Sequence, residues 1–196
     1  MPERKATFTR ETAETAVRLA LNLDGAGSCS VRTGVGFFEH MLRLFTRFAL
    51  FDLEVAAEGD LNVDAHHTVE DVGIAIGQAF SRAIGTKEGI RRFGYAVVPM
   101  DEALALAAVD ISGRGHLVFS GDLPAPRVGE FDTELVPEFF RALAVNAGIT
   151  LHLHVLSGRN THHICEALFK ACGRALGDAV AADPRVKGVP STKGTL

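Results

Sequence analysis

Two stretches of this chain carry the same uncommon pattern, His-His-x-x-Glu, at His66-His67-Thr68-Val69-Glu70 and His162-His163-Ile164-Cys165-Glu166. Laid over one another, 66–84 and 162–180 also share Ala75/Ala171, Gly77/Gly173, Ala79/Ala175 and Ala83/Ala179. Upstream, with a two-residue gap, Arg43/Arg141, Ala49/Ala147 and Leu53/Leu151 match. Further back, Glu14 falls opposite Glu102 and Gly25 opposite Gly113. An internal repeat on this scale constrains the fold more than any local propensity. The chain reads as one domain, 1–196, built from two copies of a β-rich unit (about 4–92 and 93–184) followed by a C-terminal loop over 185–196.

Hydrophobic spacing fills in the units. Val17, Leu19, Leu21 and Leu23 alternate with polar neighbours, which predicts a half-buried strand over 15–23. Residues 28–32 are placed as its hairpin partner across Asp24-Gly25-Ala26-Gly27. Phe38, Met41, Leu42, Phe45 and Phe48 recur at helical spacing over 37–51, a short strand follows over 53–57, and 68–84 reads as a small-residue helix. The series then restarts, with strands over 103–111 and 116–119, a helix over 134–147, a strand over 149–156 and a helix over 162–182. The fold class is α/β.

At a helix start the first His and the Glu of the pattern stand at i and i+4, share a face and can grip one ion. The second His lies about 100° around the helix and looks elsewhere. Each unit therefore offers a two-ligand clamp and a stray imidazole. If the units are related by a pseudo-twofold, the stray His of one completes the clamp of the other. The sets are then His66, Glu70 and His163, and His162, Glu166 and His67. His40 opens the earlier helix and its repeat counterpart is Glu138; these are the candidate fourth ligands, with His152 the alternative to Glu138. Imidazole and carboxylate without sulfur suit Mn, Fe, Zn or Ni. A single His pair at a helix start is more often a polar cap. The identical pair with Glu at the same spacing is what favours metal.

Pro190-Ser191-Thr192-Lys193-Gly194 combines hydroxyls, backbone amides and an ammonium, a set that suits a phosphate. Arg91, Arg92, Arg114 and Lys170 could add cationic donors, although each alone is more often a solvated charge. Twenty Lys and Arg against 24 Asp and Glu leave a net charge of −4, without the basic excess of a nucleic-acid binder. The chain has no apolar run of the roughly 20 residues a membrane span needs, and MPERKATFTR is too polar for a signal peptide. A cytoplasmic location is the expectation.

Gly36-Phe37-Phe38-Glu39-His40-Met41-Leu42, Asp64-x-His66-His67-Thr68-Val69-Glu70-Asp71, Met100-Asp101-Glu102-Ala103-Leu104, His162-His163-x-x-Glu166-Ala167-x-Phe169-Lys170-Ala171 and Pro190-Ser191-Thr192-Lys193-Gly194 together resemble the imidazoleglycerol-phosphate dehydratases of histidine biosynthesis. The resemblance covers the chain from about Arg4 to Leu196. It implies an α+β fold, a four-helix bundle between two mixed four-stranded sheets (ribosomal protein S5 domain 2-like). It also implies two Mn²⁺ per active site and an octahedral homo-oligomer of two dozen subunits with sites at subunit contacts. The implied reaction takes D-erythro-imidazole glycerol phosphate to imidazole acetol phosphate and water.

The C2 proton of that substrate is not adjacent to a carbonyl, so the ring must take up the charge. Ring binding to two metals through an imidazolate and a diazafulvene-like species is the expected route. Glu14 is the candidate acid/base, with Glu166 and His67 also assigned catalytic roles. Glu14, His40, Arg92, Arg114, Lys170, Ser191, Thr192 and Lys193 are assigned to the substrate. One departure is Phe48, where the family often has His. Two other readings use similar ligands: a two-metal phosphate-ester hydrolase and a non-catalytic metal store.

Overall fold

Alternate residues of Thr15–Asn22 are buried, with Val17, Leu19 and Leu21 facing inward, as a strand with one face on a core requires. The computed structural model describes residues 3–196. The first unit runs β1 (Lys5–Glu11), β2 (Thr15–Asn22), β3 (Cys29–Arg32), α1 (Gly36–Ala49), β4 (Asp52–Gly59) and α2 (His66–Ile84). The second runs β5 (Phe93–Met100), β6 (Ala103–Asp110), β7 (His116–Ser120), the short pair β8 (Arg127–Val128) and β9 (Phe131–Asp132), α3 (Leu135–Ala147), β10 (Thr150–Ser157) and α4 (Thr161–Val180).

The duplication is visible in the hydrogen-bond register. Sheet order is β1-β2-β4-β3 in one unit and β5-β6-β10-β7 in the other. Lys5 faces Asn22 in the first, and Phe93 faces Asp110 in the second, 88 residues further on in both strands. Asn22 faces Asp52 where Asp110 faces Thr150, so the offset grows to 98 after β8 and β9. Each sheet is mixed, because the last strand pairs parallel to its neighbour (β3 with β4, β7 with β10).

That parallel pairing corrects the hairpin expected at 24–32. β3 does not pair with β2; β4 lies between them. The physical cause is Asp52 at the start of β4, whose carboxylate accepts the Ala26 and Ser28 amides at 2.9 and 3.0 Å. The turn is thereby wrapped over the end of β4 and delivers β3 to its far side. Two edge strands escape the hydrophobic pattern. In β5 the inward residues are the small Gly94 and Ala96 and then Val98 and Met100, while Phe93, Tyr95 and Val97 point out. A Cβ at Gly94 would meet the Ala175 carbonyl at 1.9 Å, so α4 lies directly on that strand. In β1 every residue is at least partly exposed, with only Ala6 and Phe8 packed on the core.

Helices α1 and α2 cover the first sheet, α3 and α4 the second, and the helices then pair across units, α1 with α4 and α2 with α3. Glycines set these crossings. A Cβ on Gly173 would stand 2.3 Å from the Phe45 carbonyl, and one on Gly77 would stand 2.7 Å from that of Leu143. Between the helix layers Phe38, Phe139, Phe140 and Phe169 are fully buried and in mutual ring contact. No helix among the described residues is long and apolar enough to cross a membrane.

Gly173→Ala should cost roughly 3 kcal/mol through forced overpacking, read as a lower urea midpoint at unchanged slope. Gly36→Ala, whose Cβ meets nothing within 4 Å, should stay within about 0.5 kcal/mol. The Ala26 and Ser28 amides hold the Asp52 carboxyl below its ordinary pKa. Its stabilisation is therefore complete above about pH 3.9 and lost as pH falls through the depressed value. Asp52→Ala should melt lower than wild type at neutral pH, and the gap should close on acidification.

Candidate metal centre

The first turn of α4 is held by Asn160, whose side chain accepts the His162 and His163 amides, and the first turn of α2 by Asp64, which accepts the His66 amide at 2.7 Å. Asn160 is a side-chain N-cap of the kind this sequence favours, whereas Asp64 stands one residue ahead of Ala65, the α2 N-cap, which makes no side-chain cap bond. At the start of α1, Glu39 folds back onto the Thr33 and Gly34 amides at 2.7 and 3.2 Å and orients the turn that carries His40. The α1–α4 crossing then brings His40 against α4.

His40 Nε2 and His162 Nε2 stand 2.9 and 3.2 Å from the same atom, Glu166 Oε1. Donor atoms of all three residues lie within 4.8 Å of one another, the only such set of His, Cys, Asp and Glu among the described residues. Phe37 packs edge-on to both imidazoles. Burial pushes the Glu166 pKa up, but hydrogen bonds from Lys170, His40 and His162 and the Lys170 charge outweigh it and hold the carboxyl at about 2. Glu166 is thus ionised at working pH and Lys170 is spent on it, with the Met100 sulfur 3.2 Å from its ammonium.

The donors fit a divalent cation. Neighbouring ligands about 2.1 Å from an octahedral ion stand about 3 Å apart, which is the spacing of both imidazole nitrogens from Glu166 Oε1. Two nitrogens and a carboxylate oxygen without sulfur match Mn²⁺ and its borderline neighbours.

The duplicate set is less closed. Glu138 occupies in α3 the place of His40 in α1, yet its carboxylate is turned into an ion pair with Arg141. His66 and Glu70 lie one turn apart, half-buried, at the start of α2. His152 is on the outer face of the second sheet, stacked on His154, with Leu151 and Leu153 buried beneath the helices. Neither stray imidazole joins a clamp of its own chain. His67 Nδ1 faces Asp60 at 3.0 Å and Glu14 at 3.8 Å, and His163 Nδ1 faces Glu102 at 2.7 Å. These contacts raise both imidazole pKa values, through Asp60 and Glu102 respectively.

The tail builds a second feature. Arg92 is paired with Asp110 at 2.7 Å and donates to the Pro190 carbonyl at 2.9 Å, which docks 190–196 beside β6. A cleft of about 430 Å³ results, lined by Arg92, Ser112, Arg114, Ser191, Thr192 and Lys193 together with the last residues. Lys170 and the His–Glu cluster do not line it. Phe48 caps Lys170 from α1, its ring 6.0 Å from the ammonium. Sequence reasoning missed the imidazole partners Glu102 and Asp60. The Glu14/Glu102 match pointed to one of them, whereas Asp60 has no counterpart in the repeat.

The family model for imidazoleglycerol-phosphate dehydratase matches residues 33–176. The protein of that name from Symbiobacterium thermophilum is 63% identical over 196 residues, covering 100% of this chain and 94% of the relative. Its counterpart from Acetivibrio thermocellus is 59% identical over 194 residues, 99% of this chain and 100% of the relative. The crystal structure of the Staphylococcus aureus dehydratase superposes with a TM-score of 0.83 at 44% identity, covering 91% of this chain and 99% of that one. That of the Pyrococcus furiosus enzyme in complex with (S)-C348 also gives 0.83, at 35% identity, covering 96% and 100%. Four helices and two mixed four-stranded sheets are common to them, and the chain belongs to the imidazoleglycerol-phosphate dehydratase family, hydro-lyases of histidine biosynthesis.

Proposed function

We propose that this chain dehydrates D-erythro-imidazole glycerol phosphate to imidazole acetol phosphate, using two Mn²⁺ per active site in an octahedral assembly of two dozen subunits in the cytoplasm. The observation that carries the metal reading is the convergence of His40 and His162 Nε2 on Glu166 Oε1. Two divalent cations, when bound, supply Lewis acidity to the imidazole ring of the substrate, so that the ring can carry negative charge.

His40, His162 and Glu166 hold one cation with His67 from a neighbouring copy. His66, Glu70 and Glu138 hold the other with a neighbour's His163. Supporting this, both stray imidazoles are engaged through Nδ1 away from their own clamps. The tail cleft is likewise separate from the cluster on a single chain. This separation supports the reading of a site that joins metals and phosphate pocket at subunit contacts.

Loss of water breaks the C3–O bond, with hydroxide leaving as water after taking a proton, and the C2–H bond, whose electron pair forms the C2=C3 bond of an enol. Transfer of the enol proton to C3 gives the ketone. Positioned carboxylates move these protons. Glu14 suits this role, because its side chain is 56% exposed and stands 3.8 Å from His67, beside the ligand it would serve. Glu166, held ionised by Lys170 and the two imidazoles, serves as ligand and can take up a proton as a base. Arg92 anchors the tail. Arg114, Ser191, Thr192 and Lys193 bind the phosphate by charge-assisted bonds.

Mn²⁺-loaded protein given imidazole glycerol phosphate should produce the acetol ketone in the NMR spectrum, and chelator-treated protein should produce none until Mn²⁺ is restored. Release of inorganic phosphate without ketone would instead establish a phosphatase. Arg114→Ala and Lys193→Ala should each raise KM about 10–100-fold, the loss of one charged hydrogen bond, with kcat changed far less.

A further inference from the structure

His67 and His163 are engaged at the same ring atom, but by carboxylates from different places in the duplicated fold. In the second unit the partner is Glu102, immediately before β6. Its Oε2 lies 2.7 Å from His163 Nδ1, and its Oε1 accepts the Arg159 and Asn160 amides at 3.1 and 2.7 Å. In the first unit the residue at the matching place, Glu14 before β2, stands 3.8 Å from His67 Nδ1, too far for a hydrogen bond. Asp60, just beyond β4, has taken over, with its two oxygens 3.0 and 3.2 Å from that nitrogen. The second unit has Leu156 and Gly158 at the positions corresponding to Asp60, and neither carries a carboxylate.

We propose that Glu102 and Asp60 are positioning residues that keep the proton of His163 and His67 on Nδ1 and so leave each Nε2 lone pair, beyond hydrogen-bond reach of Asp101 at 3.9 Å in the case of His163, as a cation ligand for a neighbouring copy. The proposal rests on the reading of these two imidazoles as ligands. An ionised carboxylate only accepts hydrogen bonds, so a neutral ring against it must carry its proton on Nδ1 and its lone pair on Nε2. A carboxylate on the distal nitrogen both selects the tautomer and turns the ring. Transfer of this role to Asp60 in the first unit also accounts for Glu14, which among the described residues makes no side-chain hydrogen bond and is left to the substrate.

The two carboxylates predict different responses to conservative change. The backbone amides at Oε1 dictate how a Gln at 102 must sit: its oxygen toward Arg159 and Asn160, its NH2 toward His163 Nδ1. That nitrogen then becomes the acceptor and Nε2 carries the proton, in the way of a cation. Nothing else dictates the orientation of an Asn at 60, which can turn its oxygen to His67 and preserve the tautomer.

The test is Mn²⁺ uptake by metal-free protein, followed through the free-ion EPR signal, for wild type, E102Q, E102A, D60N and D60A, with melting of each metal-free protein alongside. Glu102→Gln, Glu102→Ala and Asp60→Ala should weaken one class of site about 10–100-fold. Asp60→Asn should recover most of the affinity, and the melting temperature of metal-free E102Q should match wild type. Wild-type uptake by E102Q, or a weakening of D60N equal to that of D60A, would overturn the proposal while leaving the metal reading intact. Wild-type protein that takes up no Mn²⁺ would overturn the metal reading, and the proposal with it.

Discussion

Backbone-to-backbone contact between helices of different units is the constraint on which the rest of this molecule depends. Gly173 lets α4 touch the α1 chain at Phe45, and Gly77 lets α2 touch α3 at Leu143 in the equivalent way. Neither unit can cover its own sheet and its own helices. The aromatic layer of Phe38, Phe139, Phe140 and Phe169 belongs to both units at once. The same close crossing has a chemical consequence, because it carries His40 from one unit to within hydrogen-bond reach of Glu166 in the other.

Electrostatics at the candidate metal centre fixes the charge of Glu166. Glu166 is 10% exposed at its side chain and would be costly to ionise alone. Lys170 and two imidazoles make the ion favourable, so the carboxylate stays charged despite its burial. The other two imidazoles, His67 and His163, instead face carboxylate acceptors at Nδ1. The cationic cleft that Arg92 forms by pinning the tail beside β6 lies apart from that cluster. A mildly acidic chain thus carries a locally cationic cleft, because Arg92, Arg114 and Lys193 gather there.

Much of the core was legible in the spacing of apolar residues, since β2, β6, β10 and all four helices bury one continuous face. The strands that escaped reading explain why pattern alone falls short. β5 turns Phe93, Tyr95 and Val97 outward and packs Gly94 under α4, so apolar residues stand on both of its faces and the alternation is lost. The turn after β2 looked like a hairpin because Asp-Gly-Ala-Gly suits one. The Asp52 carboxylate, 26 residues from Ala26, redirected it, and no local pattern encodes such a distant hydrogen bond.

The doubled His-His-x-x-Glu and the matching glycines determined by themselves that the chain is two copies around one core, that each copy carries a His and a Glu at i and i+4 on one helix face, and that the other His must face away. Helical periodicity is local and requires nothing beyond the order of residues. Only the tertiary structure decided which distant groups meet these side chains: His40 closes on Glu166, Glu138 turns to Arg141, and Asp60 displaces Glu14 at His67. Those outcomes depend on helix crossings and loop lengths that place atoms within a few ångströms, and a hydrogen bond or a metal ligand forms or fails on that distance.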